Sequence, residues 1–135
     1  MSNYSAGKTI LCIDDDDGVL SYHKALLERR GYEVLTADSA REGLQLAEVC
    51  PVAAVIVDYH MPDMNGHEVA TKIKRIRPQV PIVMVSSDDA VPEQALDAVD
   101  AFVSKDEVAR RLLSVLNRVC REGPSSFPMN DRSIA

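Results

Sequence analysis

The 135-residue chain has little of what a secreted, membrane-bound or nucleic-acid-coating protein needs. Its three cysteines, Cys12, Cys50 and Cys120, are odd in number and match no disulfide framework or zinc spacing, which points to a reducing compartment. No apolar stretch approaches membrane-spanning length, and the opening MSNYSAGK has no apolar run of the kind a secretory leader carries. The expectation is a cytoplasmic protein without membrane contact. Positive charge is also scarce: 15 Lys and Arg against 21 Asp and Glu give a net charge of −6. That excludes a broad electrostatic grip on nucleic acid. The densest basic run, KIKRIR at residues 72–77, has the spacing of a solvated helix face.

What is present is an ordinary globular mixture, 46% hydrophobic and 27% charged, enough for one domain with a real core. Five short apolar runs recur at 9–13 (TILCI), 33–37 (EVLTA), 53–57 (AAVIV), 81–85 (PIVMV) and 101–104 (AFVS). Three are apolar almost throughout, as strands of a parallel sheet covered on both faces are. Cys12 falls inside the first and reads as a small core residue.

Between these runs lie helical patterns. Residues 19–30 place Val19, Leu20, His23, Leu26 and Leu27 on one side, and Gly31 follows as a stop. The next opens at SARE, with Ser39 as cap and Glu42 reaching back in a capping box, and ends at Pro51. A third carries Val69, Ile73 and Ile76 and stops before Pro78. A fourth, PEQALDAV from Pro92, is short and weakly patterned. The fifth aligns Val108, Leu112, Val115, Leu116 and Val119, with Asp106 and Glu107 in its first turn and Arg118 and Arg121 in its last. The alternation predicts an α/β fold, a (βα)5 doubly wound five-stranded parallel sheet. Residues 1–8 are expected to be a flexible N-terminus, 9–122 the domain, and 123–135 (GPSSFPMNDRSIA) a disordered tail.

In such sheets ligands bind at the carboxyl ends of the strands. There the sequence places Asp14 and Asp15 after the first run, Asp58 after the third, Ser86 and Ser87 after the fourth, and Lys105 after the fifth. Clustered carboxylates are tolerable where a cation neutralises them, and hard oxygen donors favour Mg²⁺ or Mn²⁺. A carboxylate can also be a nucleophile that forms an aspartyl-phosphate, with a hydroxyl and an ammonium receiving the phosphoryl oxygens. Asp16 and Asp17 fall at the start of the first helix, where carboxylates cap and suit the dipole.

These motifs, ILCIDD, VIVDYHMPDMNG, PIVMVSS and AFVSK in this order and spacing, resemble the receiver domain of two-component response regulators over about residues 9–120. The resemblance implies a flavodoxin-like fold and a stand-alone signalling switch, not a metabolic enzyme. By it, Asp58 is the phosphoacceptor, charged by a sensor histidine kinase or histidine phosphotransfer protein. Asp15 ligates Mg²⁺ directly, Asp14 helps through water, and the carbonyl of His60 is a further ligand. Ser86 and Phe102 match the switch positions, Lys105 the lysine that pairs with phosphoryl oxygens, and Gly66 the loop glycine after the third strand. Output goes through a downstream target protein, with no direct nucleic-acid binding.

Three departures from the family pattern stand out. Asp106 replaces the proline that usually follows the lysine with a cis bond, so the approach of Lys105 is expected to differ. Phe102 lacks a tyrosine hydroxyl, and the segment from Ser86 to Lys105 is a few residues short. The His60 side chain is expected near the phosphoryl site, as a tuner of phosphoryl lifetime or as an exposed histidine with no role. A zinc site from Asp58, His60 and His67 fits no usual spacing, and an EF-hand fails because Ile13 holds its first ligand position. Two alternatives stay open: a haloacid-dehalogenase-like phosphatase reading DDDGVL with Asp15 as nucleophile and Asp17 as acid/base, and a receiver scaffold that is not phosphorylated.

Overall fold

The computed structural model describes residues 8–87 and 91–122. The expected N-terminal segment (apart from Lys8) and the 123–135 tail lie outside the described residues. Five strands, β1 (Thr9–Ile13), β2 (Glu33–Ala37), β3 (Ala54–Asp58), β4 (Ile82–Ser86) and β5 (Ala101–Ser104), form one parallel sheet in the order β2-β1-β3-β4-β5. Among the described residues three helices connect strands, α1 (Asp17–Glu28), α2 (Ala40–Val49) and α3 (Gly66–Ile76), and a fourth, α4 (Val108–Glu122), follows β5. The doubly wound, flavodoxin-like expectation holds. All of β3 and β4 is buried, which is why those runs are apolar without alternation.

Side chains alternate across the sheet into two core layers. Ile10, Cys12, Ile56, Val83 and Val103 face the α1–α4 side, where Leu27, Leu112 and Leu116 meet them. Leu11, Val55, Val57, Ile82 and Met84 face the α2–α3 side with Val69 and Ile73.

Several boundaries differ from the sequence expectation. β3 and β4 each begin and end one residue later, so Asp58 and Ser86 are strand residues held in the hydrogen-bonded ladder. α1 begins earlier than the apolar stripe because Asp16 caps it, its carboxylate accepting from Gly18 N (2.8 Å) and Val19 N (3.2 Å). Its far end closes as foreseen. Gly31, at φ 95°, lets its own N–H reach Glu28 O while Tyr32 N reaches Leu27 O, a Schellman pattern. Ser39 caps α2 by accepting from Glu42 N at 3.1 Å, but Glu42 reaches past it and accepts from Asp38 N at 3.2 Å.

The fourth helix is cut short, in line with the brief Ser86–Lys105 segment and its weak pattern. Only a 3-10 turn, Glu93–Leu96, forms there, closed by bonds such as Ala95 N to Pro92 O at 2.9 Å. Just one of its residues, Ala95, is buried, so no apolar stripe exists to extend it. Asp106 and Glu107 likewise belong to a separate 3-10 turn, Lys105–Glu107, that leads into α4.

Candidate functional site

Register carries the expected residues to one rim. Ile13 pairs with Val57, so Asp14 and Asp58 leave adjacent strands at the same level. Asp58 pairs with Val85, and Ser86 pairs with Ser104, so Ser86 and Lys105 each stand one step further along. Four neighbouring strands thus present an acid, an acid, a hydroxyl and an amine.

The acids are not equivalent. Asp14 and Asp58 are buried, at 2% and 4% exposure, while Asp15 is open to solvent. Asp14 Oδ1 accepts from Asp16 N at 2.9 Å and so shapes the turn into α1. Its Oδ2 is buried without a hydrogen bond and forms an ion pair with Lys105 Nζ at 3.1 Å. Lys105 Nζ lies at the same distance, 3.1 Å, from Asp58 Oδ1. Oxygens of Asp14, Asp15 and Asp58 all fall within 4.8 Å of one another. Three carboxylates against one ammonium leave the cluster short of positive charge.

That imbalance shows in the titration. Burial, then the Asp14 charge, push the Asp58 carboxyl from 3.8 up to about 6; the charge and hydrogen bond of Lys105 oppose this, and Asp15 adds to it. Lys105 is held above its ordinary value: burial works against its charge, but its pairing with Asp14 and Asp58 outweighs it.

The backbone around Asp58 is tightly specified. Tyr59 N donates to Val85 O at 3.1 Å, and Gly66 N returns to Tyr59 O at 2.8 Å. A Cβ at residue 66 would sit 2.5 Å from Asp58 O, so only glycine lets α3 start this close to the acid. Asn65 and Glu68 form a full capping box there. From the same loop, the Asp63 carboxylate accepts from Ala40 N (3.3 Å) and Arg41 N (3.2 Å), capping α2 from more than twenty residues away.

Of the remaining expected residues, Ser86 is buried beside this rim and Phe102 is half-buried on the α2–α3 side, opposite Met84. His60 is exposed, with its ring edge-on to Tyr59 at 4.7 Å. Among the described residues the metal-competent cluster is Asp14, Asp15 and Asp58, so His60 and His67 do not join Asp58 in a zinc site. Asp17 is an exposed residue of the first turn of α1 and stands outside that cluster. Among the described residues every peptide bond is trans, and Lys105 still reaches both acids. Ser104 Oγ donates to Asp106 Oδ1 at 2.5 Å across the lysine, a local brace in place of a proline ring.

His23 belongs to this neighbourhood too, although its sequence position marks it only as part of an apolar stripe. It is buried, at 3% exposure. Burial lowers its pKa, the Asp14 charge raises it and the Lys105 charge lowers it again.

Comparison with known proteins agrees with this geometry. The family model for the response regulator receiver domain matches residues 10–117. The chain is 30% identical over 131 residues to PhoP, an alkaline phosphatase synthesis transcriptional regulatory protein of Bacillus subtilis; the match covers 92% of the chain and 55% of PhoP. It therefore spans about half the length of that relative. A CheY-like receiver domain structure from Methanospirillum hungatei superposes with a TM-score of 0.81 at 34% identity, covering 85% of this chain and 94% of that one. The response regulator TrrA of Thermotoga maritima, solved in complex with Mg²⁺–BeF, superposes at 0.79 with 26% identity, covering 83% and 98%. Over the sheet, its helices and the acid–lysine rim, this chain belongs to the response regulator receiver domain family.

Proposed function

We propose that this receiver domain takes a phosphoryl group on Asp58 and uses the modification to switch a protein-interaction surface. The observation that carries the reading is the Asp58 carboxylate itself. It is buried at the end of β3, 3.1 Å from Lys105 Nζ and within 4.8 Å of the Asp14 and Asp15 oxygens. The donors are all hard carboxylate oxygens and one buried oxygen of Asp14 has no hydrogen bond, so the cluster suits Mg²⁺ or Mn²⁺. Asp14, Asp15 and Asp58, with the His60 carbonyl, would hold the ion; when bound it neutralises the acids and the incoming phosphoryl oxygens.

The protein's own groups do the rest. An Asp58 oxygen attacks phosphorus, the bond from phosphorus to the donor's imidazole nitrogen breaks, and that nitrogen keeps the electron pair. Lys105 stabilises charge on the phosphoryl oxygens. Ser86 turns its hydroxyl to another of them, and Phe102, now half-buried, closes inward behind it. The phosphodonor is a sensor histidine kinase or a histidine phosphotransfer protein, and the readout is a downstream protein. Among the described residues no helix is long and apolar enough to cross a membrane. Incubation with acetyl phosphate and Mg²⁺ tests the reading. Intact mass should rise by one phosphoryl group, and the rise should vanish without Mg²⁺ and in Asp58→Ala. A folded protein that never gains mass from acetyl phosphate or a phosphorylated histidine donor would instead be a binding scaffold.

A further inference from the structure

The basic run at 72–77 divides into two jobs. Lys74 Nζ binds Val80 O (2.9 Å) and Asp100 Oδ2 (2.8 Å), and Arg77 binds Ala47 O (3.2 Å) and Glu48 O (2.7 Å) at the end of α2. Those two are structural. Lys72 and Arg75 instead border a groove of about 640 Å³ between α2 and α3, with Arg41 on its other side. None of these three side chains makes a hydrogen bond or ion pair among the described residues.

The groove is open to solvent and mostly apolar in its exposed lining, with Leu44, Met64 and Ile76 as its apolar residues. Ile76 is 37% exposed. Two acids also border it. Asp63 accepts from the first N–H groups of α2 and Glu48 stands opposite, so the margin carries three cations against two carboxylates. In a chain of net charge −6, a positive margin around an open apolar trough is a local reversal of sign.

From this geometry we infer that the α2–α3 groove is a docking site for an acidic amphipathic helix of a partner protein. Two parallel helices with a trough between them receive a third helix along its apolar face, with anchors spaced i, i+3, i+4 and i+7. Carboxylates flanking that face meet Arg41, Lys72 and Arg75, which sets orientation and rejects basic helices. An enclosed small ligand fits less well, because such sites bury most of the ligand surface and this trough is open. The inference does not depend on phosphorylation at Asp58.

The test uses the full chain and two matched, end-capped peptides of about 18 residues, long enough to be helical. Both carry the same leucine face; one has glutamates on its flanks and the other lysines. Amide shifts in NMR titrations should move around Leu44, Met64 and Ile76 with the acidic peptide only. Lys72→Glu/Arg75→Glu should weaken binding about tenfold or more and leave acetyl phosphate labelling unchanged. A second variant, Leu44→Ser, should weaken it without changing charge, with circular dichroism confirming that each variant is folded. Equal binding of both peptides, shifts on another face, or indifference to the charge reversals would overturn the inference. So would concentration-dependent dimerisation of the chain alone that Ile76→Glu abolishes, since the occupant would then be a second copy.

Discussion

Replacing Asp58 by Asn should make the metal-free protein more stable, and the amount can be worked from the site. A carboxyl raised from 3.8 to about 6 carries a charged-state penalty of about 3 kcal/mol at neutral pH, at about 1.4 kcal/mol per pH unit. Its side chain is only 5% exposed, so solvent screens little of this. The amide removes the repulsion from Asp14 and Asp15 but costs Lys105 one of its two partners, so a net gain of about 2 kcal/mol is expected. For a domain of this size that is a rise of about 8 °C in Tm.

The sign of the pH dependence follows as well. The folded chain keeps the Asp58 proton up to about pH 6, whereas the unfolded chain releases it near 3.8. Between those values the folded state binds more protons, so this contribution to stability falls as pH rises, and the penalty is complete above about 6. Asp58→Asn lacks that slope. Urea unfolding of both proteins in EDTA from pH 4 to 8 should give curves that converge at the acid end and separate towards neutrality. Added Mg²⁺ should then stabilise the wild type more than the variant. A variant less stable than wild type at pH 7, or a difference that does not change with pH, would refute the reasoning.

Other positions give sharper structural readings. Gly66→Ala puts a methyl 2.5 Å from Asp58 O; thermal unfolding should show a loss of about 2 kcal/mol, and acetyl phosphate labelling should slow. Lys105→Met leaves Asp14 and Asp58 without their shared cation and should slow single-turnover labelling by about a hundredfold at saturating Mg²⁺. Asp100 Oδ2 accepts from both Lys74 Nζ and Ile82 N at 2.8 Å, so Asp100→Ala should cost about 2 kcal/mol in urea unfolding, whereas the more exposed Lys74→Met costs less. If Ser104 and Asp106 brace Lys105, Ser104→Ala should slow labelling a few-fold while unfolding changes by less than about 1 kcal/mol.

The elements that sequence made legible are those where one local signal suffices. β1, β3 and β4 were visible because a strand buried on both faces must be apolar throughout, and Gly31 because a helix end at positive φ favours glycine. The rim of Asp14, Asp15, Asp58, Ser86 and Lys105 followed from reading the strands as parallel, since parallel strands deliver their carboxyl ends to one edge. What stayed hidden depends on distant partners. That Asp63 caps α2 cannot be read from residues 63–68, because its partners are the N–H groups of Ala40 and Arg41. The division of the 72–77 run needed the positions of Asp100 and the end of α2. His23 has the spacing of a core residue and its proximity to Asp14 is purely tertiary. The weakness of the fourth helix was legible: Pro92 offered a start, but no apolar stripe follows to stabilise more than one turn.

The most direct test of the account locates the phosphoryl group. Acetyl phosphate labelling with Mg²⁺, reduction of the acyl phosphate by borohydride and peptide mapping will place a homoserine at the modified position. The account predicts residue 58 and an unmodified residue 15. Homoserine at 15 would contradict it and make the turn into α1, not the end of β3, the reacting centre.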